Sequence, residues 1–405
     1  MSKPDRFLVV AHSARLLAQS AARAGLPVCA LDLFHDDDTA RLAQASEAVD
    51  PRAGDSLGFD RDDLLRRAAR LCPPSRCRGL VYGAGFEDDT GTLALLARDR
   101  ELFGNRPELV ARLKDPAEFF TLLDRLGIPH PATVLSRPAD RRGWLYKRRG
   151  ASGGAHVIDA AAGPGEPGAG FFQRRTAGRN LSLLFLADGR QAEVIGISRQ
   201  FTRGAGERRY AYAGAVGPIQ LPAAVTRALR DALHALVAHT GLVGCNSVDF
   251  LLQGSQPAVL EVNPRPSATM DLYDGNWPTG LFDAHLRACR GRLPRASGAW
   301  RARGARAHAI VYADRPLRIS PDTVFAPWCT DIPRAGSTVA VDAPVCTVHA
   351  DGADVSAALR QLSRRRHWTV MELTTRLNSE ETEHGCKSNA PERESRRQSA
   401  GRIAA

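Results

Sequence analysis

Apolar residues in the first hundred positions fall into two alternating patterns. Short continuous runs, RFLVVA (6–11), VCALDLF (28–34) and GLVYGAG (79–85), read as strands buried on both faces. Between them, SARLLAQSAARA (13–24) and LLRRAARLC (64–72) repeat their apolar positions every three or four residues, as one face of a helix requires. Gly25-Leu26-Pro27 breaks the first helix before the second strand. This alternation with short connections predicts a parallel α/β unit over residues 1–105.

From about residue 106 the pattern changes. A helix, DPAEFFTLLDRLG (115–127), precedes a strand, a glycine loop and a second strand in WLYKRRGASGGAHVI (144–158). Residues 160–170 are too rich in Gly, Ala and Pro to be more than a loop. FFQRR (171–175) and NLSLLFLADGRQAEVIGISRQF (180–201) predict antiparallel strands, with Asp188-Gly189 marking a hairpin turn. A helix is expected at about 222–240. ASGAWRARGARA (296–307) reads as a linker, 308–373 as a small β-rich domain, and the polar stretch 374–405 as disordered. The fold class is therefore α/β and α+β multidomain, with its central domain at 106–295.

VLEVNPRP (259–266) poses the chemical question, because an apolar strand here carries Glu261 and Asn263 on one face. Strict alternation puts Leu260 and Val262 on one side, and Val259, Glu261 and Asn263 on the other. The preceding run, Val248–Leu252, is joined to it by a turn-rich loop centred on Ser255. Folding the chain about Ser255 sets Asp249 opposite Glu261, since each lies six residues from that centre. Two facing carboxylates repel. A magnesium ion between them would turn that cost into a binding site, filling its shell with phosphate oxygens and water.

Composition sharpens this reading. Lysine occurs only at positions 3, 114, 147 and 387 among 55 basic residues, so arginine is used almost everywhere else. Lys114 and Lys147 fall beside the predicted helix and the glycine loop, where a compact ammonium grips a phosphate oxygen differently from a guanidinium. Gly150, Gly153 and Gly154 would let backbone N–H groups approach phosphate. The net charge of +11 raises nucleic-acid binding, but the arginines are spread along the chain and no zinc-finger or aromatic RNA-binding motif accompanies them. The eight cysteines are scattered without a CxxC pair, as expected of reduced thiols in a cytoplasmic protein. No apolar run is long enough to suggest a membrane span or signal peptide. No GxSxG, HExxH or Walker loop is present, and the scattered histidines read as surface or core residues.

Taken in order, these parts resemble the ATP-grasp superfamily. GNRPELVARLKDPAEFFTLLDRLGIPHPAT is similar to its entry segment, LYKRRGASGG to its second lysine strand and phosphate loop, and FFQRRTAGRNLSLLFLADG to its adenine hinge. VDF…LEVNPR is similar to its metal and γ-phosphate residues, and PWCTDIPRAGSTVAVDAPVCTVHADG resembles the C-terminal β domain of its biotin-carboxylase-like members. The resemblance implies an N-terminal pre-ATP-grasp domain, a two-lobed ATP-grasp domain, and ATP and Mg2+ (one or two ions, with Mn2+ as a substitute) as cofactors.

It also implies roles for individual residues. Lys114 and Lys147 would hold the α- and β-phosphates under Gly150, Ser152, Gly153 and Gly154. Gln173, Arg174 and Arg175 would line the adenine hinge, although the family often carries an acidic residue after the glutamine. Asn180 would stand in for the ribose contact. Asp249, Glu261 and Asn263 would hold the metal, Arg265 would face the γ-phosphate or acyl-phosphate, and Arg199 would be a second phosphate contact. The implied activity is a carboxylate–amine ligase working through an acyl-phosphate on small-molecule substrates, with no nucleic-acid or membrane partner and a homodimer as the compatible assembly. The looser likeness is to ligases of one-carbon carrier (methanopterin and methanofuran) pathways, of which tyramine–glutamate ligation is one example. A bicarbonate-activating carboxylase and a non-catalytic ATP-binding protein fit the same residues. The acidic run YGAGFEDD (82–89) could face an amine or be a solvated loop, and RRYAYAGAVGPI (208–219) could join the acceptor pocket.

Overall fold

The computed structural model describes residues 5–163, 168–204, 206, 208–294 and 304–387, with side chains described to Thr374 except at 55 and 56. The three N-terminal apolar runs form strands Arg6–Val10, Val28–Asp32 and Cys77–Tyr82 of one parallel sheet. Two shorter strands, Ala45–Ala48 and Leu102–Phe103, complete its edges. Helices Arg15–Arg23 and Arg61–Leu71 follow the expected periodicity, and Asp60 caps the second by accepting from Asp63 N.

A four-stranded antiparallel sheet comes next, in the order Val157–Asp159, Trp144–Arg148, Gly170–Arg174, Thr133–Val134. Beyond it, strands Arg179–Asp188 and Ala192–Thr202 pair as a hairpin, the Asp188 carboxylate accepting from the N–H groups of Arg190 and Gln191 in the turn. They belong to an eight-stranded sheet running from Gln256–Asn263 through Val243–Gln253, Arg179–Asp188, Ala192–Thr202 and Tyr212–Gly217 to Ala305–Tyr312, Pro344–Gly352 and Cys329–Thr330. One face packs on helices Pro116–Arg125 and Ala223–Thr240, with Leu181, Leu183, Phe185, Val248 and Phe250 in that core. On the other face, helix Gly280–Cys289 joins Leu184 and Leu186 to Phe7 and Val9 of the parallel sheet.

The C-terminal region differs from expectation in two ways. Its first strand, Ala305–Tyr312, pairs with Tyr212–Gly217, so strand pairing crosses the 296–307 boundary and the central sheet continues. Residues 296–303 of that linker lie outside the described residues. A helix, Val355–Lys387, also packs on these strands and extends into the stretch expected to be disordered; 388–405 lie outside the described residues. Asp354 starts this helix by accepting from Ala357 N, and Ala358, Leu362 and Leu373 bury one face on the strands beneath. The spacing of those three is helical, and the many charged residues between them mask it in the sequence.

Leu362 is 5% exposed in that core. Leu362→Ala should therefore cost about 2–4 kcal/mol in a urea unfolding titration, as a cavity under a packed helix does.

Candidate functional site

Asp249 and Glu261 are cross-strand partners, as expected, but the route to that register is not the expected one. The turn is centred between Gly254 and Ser255, giving Gln253↔Gln256 and Phe250↔Val259. A bulge between Asp249 and Phe250 then slips the ladder by one residue and restores Asp249↔Glu261. The bulge also corrects the expected alternation. Val259 and Val262 both enter the core, and Leu260 is the half-buried extra residue.

Cations and amides from separate elements surround the pair. Lys114 is the last residue of helix Pro107–Lys114, ended by Asp115, whose carboxylate caps the next helix through Ala117 N and Glu118 N. Its ammonium, 7% exposed, donates to Glu261 Oε2 and Asn263 Oδ1, both at 3.1 Å. Asn263 Nδ2 donates to Asp249 Oδ2 at 3.2 Å, and Gln200 Nε2 to Asp249 Oδ1 at 3.2 Å. Burial and the facing Glu261 push the Asp249 carboxyl up to about 6. Desolvation would also raise Glu261, but Lys114 and Lys147 outweigh it and hold that carboxyl below its usual value. Its side chain is 44% exposed.

Lys147, on strand Trp144–Arg148, donates to Gln173 Oε1 at 2.7 Å, and Gln173 Nε2 donates to Thr133 Oγ1. Burial pulls the Lys147 ammonium below its usual value against the pull of Glu261 and Asp249. The glycine loop after this strand closes tightly. Gly150 (φ +65°) has space for no Cβ, which would lie 2.6 Å from Asp88 Cα, and a Cβ on Gly154 (φ +73°) would clash with Tyr210 O. Gly153 also has positive φ, its carbonyl accepting from Tyr212 N, and Ser152 is half-buried in the same loop.

Arg265 is buried, and its guanidinium ties the hairpin's exit to the N-terminal unit. Nε and Nη2 both lie 2.8 Å from Glu87 Oε1, and Nη2 lies 3.4 Å from Asn263 Oδ1. Glu87 Oε2 accepts from Gly85 N and Phe86 N. Burial opposes ionisation of Glu87, yet Arg265, Lys114 and these N–H groups hold its pKa at about 2.

Other expected residues lie elsewhere. Gln200 reaches Asp249, so neighbouring Arg199 points to the opposite face of its strand, the face of Ile197 in the helix-covered core. Its guanidinium lies 5.3 Å from the Phe201 ring and is not brought into the cluster. Arg174 stacks on Trp144 at 5.6 Å, and Arg175 lies 3.7 Å from Asp159; both are exposed. Asn180 shares the Asp249 face, two residues from Ser182, the cross-strand partner of Asp249. The sequence reading missed Glu87 as an ion-pair partner, Gln200 and His156. His156, held neutral by burial with its pKa near 4, sits close enough to Glu261 and Lys147 to feel their charge and leaves Nδ1 without a hydrogen-bond partner. Only its place after the glycine loop could have singled it out.

A family model described as an ATP-grasp domain matches residues 114–269. This stretch is an ATP-grasp domain. The match begins at Lys114 and includes every residue of the cation and carboxylate cluster except Glu87. The carbamoyl phosphate synthase large chain of Myxococcus xanthus (strain DK1622) is 27% identical over 211 residues, 46% of this chain. The chain spans 19% of that relative's length. Among solved structures, the biotin carboxylase of Campylobacter jejuni in complex with an ATP analogue superposes with a TM-score of 0.66 at 12% identity, covering 87% of this chain and 89% of that one. Pyruvate carboxylase of Rhizobium etli gives 0.68 at 15% identity, covering 89% and 37%. The biotin carboxylase domain dimer of Hydrogenobacter thermophilus 2-oxoglutarate carboxylase, bound to MgADP and bicarbonate, gives 0.65 at 11% identity, covering 88% of each. The fold beyond the ATP-grasp domain is thus that of the biotin carboxylases. Among the described residues, no helix is long and apolar enough to cross a membrane.

The Glu87–Arg265 pair makes two expectations. Arg265→Met leaves a buried carboxylate without its cation and should cost about 3–5 kcal/mol at pH 7 in denaturant unfolding, with Glu87→Gln in the same chain recovering most of it. The Glu87 pKa is depressed from 4.5 to about 2, so its stabilisation is present above about pH 4.5 and lost as pH falls towards 2. Stability of the Glu87→Gln protein should accordingly fall less steeply with pH across that window.

Proposed function

We propose that the protein is an ATP-dependent carboxylate–amine ligase that activates a carboxylate as an acyl-phosphate and transfers it to an amine. The observation that carries this reading is the facing pair Asp249 and Glu261, bordered by Lys114, Lys147, Asn263 and Arg265 at one cleft. Two carboxylates and an amide oxygen are the hard donors magnesium takes, with the remaining positions left to phosphate and water. Lys114, which now bridges Glu261 and Asn263, is placed to exchange those partners for a phosphate oxygen. Bound magnesium would neutralise charge on the phosphates.

On this reading Lys147 and the loop of Gly150, Ser152, Gly153 and Gly154 hold the phosphates, and Gln173 keeps the Lys147 ammonium in place. The strand Gly170–Arg174 and Asn180 border the adenosine. Arg265, fixed by Glu87, offers its guanidinium to the transferred phosphoryl and the acyl-phosphate, where charge develops in the transition state. Carboxylate oxygen attacks the γ-phosphorus and ADP leaves; the neutral amine nitrogen then attacks the acyl carbon, phosphate leaves, and the nitrogen gives up a proton. The same reading extends to a cytoplasmic enzyme on small-molecule substrates, with a homodimer supported by the dimeric Hydrogenobacter domain. One-carbon carrier ligases supply a first panel of substrates. A second reading, bicarbonate activation, is favoured by the carboxylase fold over nearly the whole chain.

ADP release with Mg-ATP, hydroxylamine and a panel of carboxylates should be accompanied by hydroxamate, and Glu261→Ala should lower the rate by about 10²–10³-fold. ADP release that requires bicarbonate and yields no hydroxamate would replace the ligase with the carboxylase.

A further inference from the structure

A cavity of about 730 Å³ is lined in part by Arg265, and neither Asp249 nor Glu261 reaches its wall. Its walls come from the C-terminal ends of the parallel strands, where doubly wound sheets receive ligands, and from the C-terminal strands. Most of the lining is apolar, including Leu16, Leu33, Phe34, Ile310 and Val345.

The charged groups at this cavity are nearly all satisfied. Arg15 bonds Asp331, Asp271 and Gln19. Asp331 also accepts from Ser13. Asp38 accepts from the N–H groups of Asp331 and Ile332, and Asp32 from those of Ala14 and His35. Arg334 lies against His35 and Asp37.

Asp36 is the exception. It occupies the N-cap position of helix Asp37–Leu42, where an aspartate ordinarily accepts from the first-turn N–H groups, yet its side chain caps nothing. It lines the cavity, is 6% exposed, and has no side-chain hydrogen-bond or ion-pair partner among the described residues. Burial and the carboxylates of Asp331, Asp32 and Asp38 push its pKa up to about 8. His308 also lines the cavity; it is 2% exposed, bonds Tyr212 through Nε2, and leaves a fully buried Nδ1 without a hydrogen-bond partner.

We infer that this cavity binds an organic ammonium group on Asp36 with an apolar body against Leu33, Phe34 and Ile310, making it the subsite for the amine acceptor. A buried carboxyl among other carboxylates is stabilised by a cation, and a protonated amine supplies one with directed N–H donors. A metal ion would need several free oxygen donors, and the neighbouring carboxylates of Asp331, Asp32 and Asp38 are already bonded to Arg15, Ser13 and backbone N–H groups. Assignment as the acceptor site rests on the ligase reading; binding of the amine does not.

The test is calorimetry on the full chain, with and without Mg-ATP, using 2-phenylethylamine and n-pentylamine against 2-phenylethanol and 3-phenylpropionate. The amines should bind the wild type at least about tenfold more tightly than the alcohol or the acid. Asp36→Asn should weaken the amines by at least about tenfold while changing Mg-ATP affinity by less than about twofold, which also certifies its fold. Amines that fail to bind the wild type, bind Asp36→Asn equally, or bind no better than the acid overturn the site. Amine binding through Asp36 with no Mg-ATP binding would overturn the ligase reading and leave the amine site standing.

Discussion

Two carboxylates forced to face each other across neighbouring strands set the terms for the rest of this molecule. Asp249 and Glu261 repel, and the cost grows because the sheet around them is apolar. Relief comes from cations on distant segments: Lys114 at a helix end, Lys147 on a separate sheet, and Arg265 just past the hairpin. Each has to be delivered by a different piece of backbone, so the hairpin's electrostatics dictate how the lobes come together. Lys114 is the most telling. Its ammonium bonds Glu261 and Asn263 together, occupying oxygens that a metal would take while the ammonium turned to a phosphate oxygen.

The second joint is the Glu87–Arg265 pair. A buried ion pair adds little net stability over apolar packing, but removing one partner is costly. Here it fixes the guanidinium between the carboxylate cluster and the large cavity. The same joint is reinforced by Asn105, which donates to Asn246 and Pro264 and accepts from Val243, and by Tyr82, whose hydroxyl donates to the Asn105 and Pro264 carbonyls. Gly150 then presses against Asp88, next in the chain after Glu87, so the glycine loop and the N-terminal unit meet directly. Arg265 thus touches both Asn263 of the carboxylate cluster and the cavity.

Local pattern carried much of this into the sequence. The parallel strands, their first helices and the Asp188-Gly189 hairpin follow from periodicity and turn chemistry, which act over a few residues. The two lysines stood out because the chain otherwise prefers arginine. The facing of Asp249 and Glu261 came from counting residues about a turn. That count succeeded because an unforeseen bulge offset a turn centre misplaced by half a residue.

What the sequence determined by itself was therefore many of the elements up to the hairpin Val243–Asn263 and the inventory of chemical groups, while the C-terminal helix stayed hidden among charged residues. Tertiary structure decided which groups meet. Glu87 looked like one acid in a run of three until it was buried beside an arginine 178 residues away. Arg199 looked like a phosphate contact until the strand's alternation turned it to the helix-covered face. The continuation of the central sheet into the C-terminal strands, and the cavity that leaves Asp36 without a partner, likewise depend on packing between distant segments. Burial and long-range pairing set those energies, and neither is written in any local stretch of the chain.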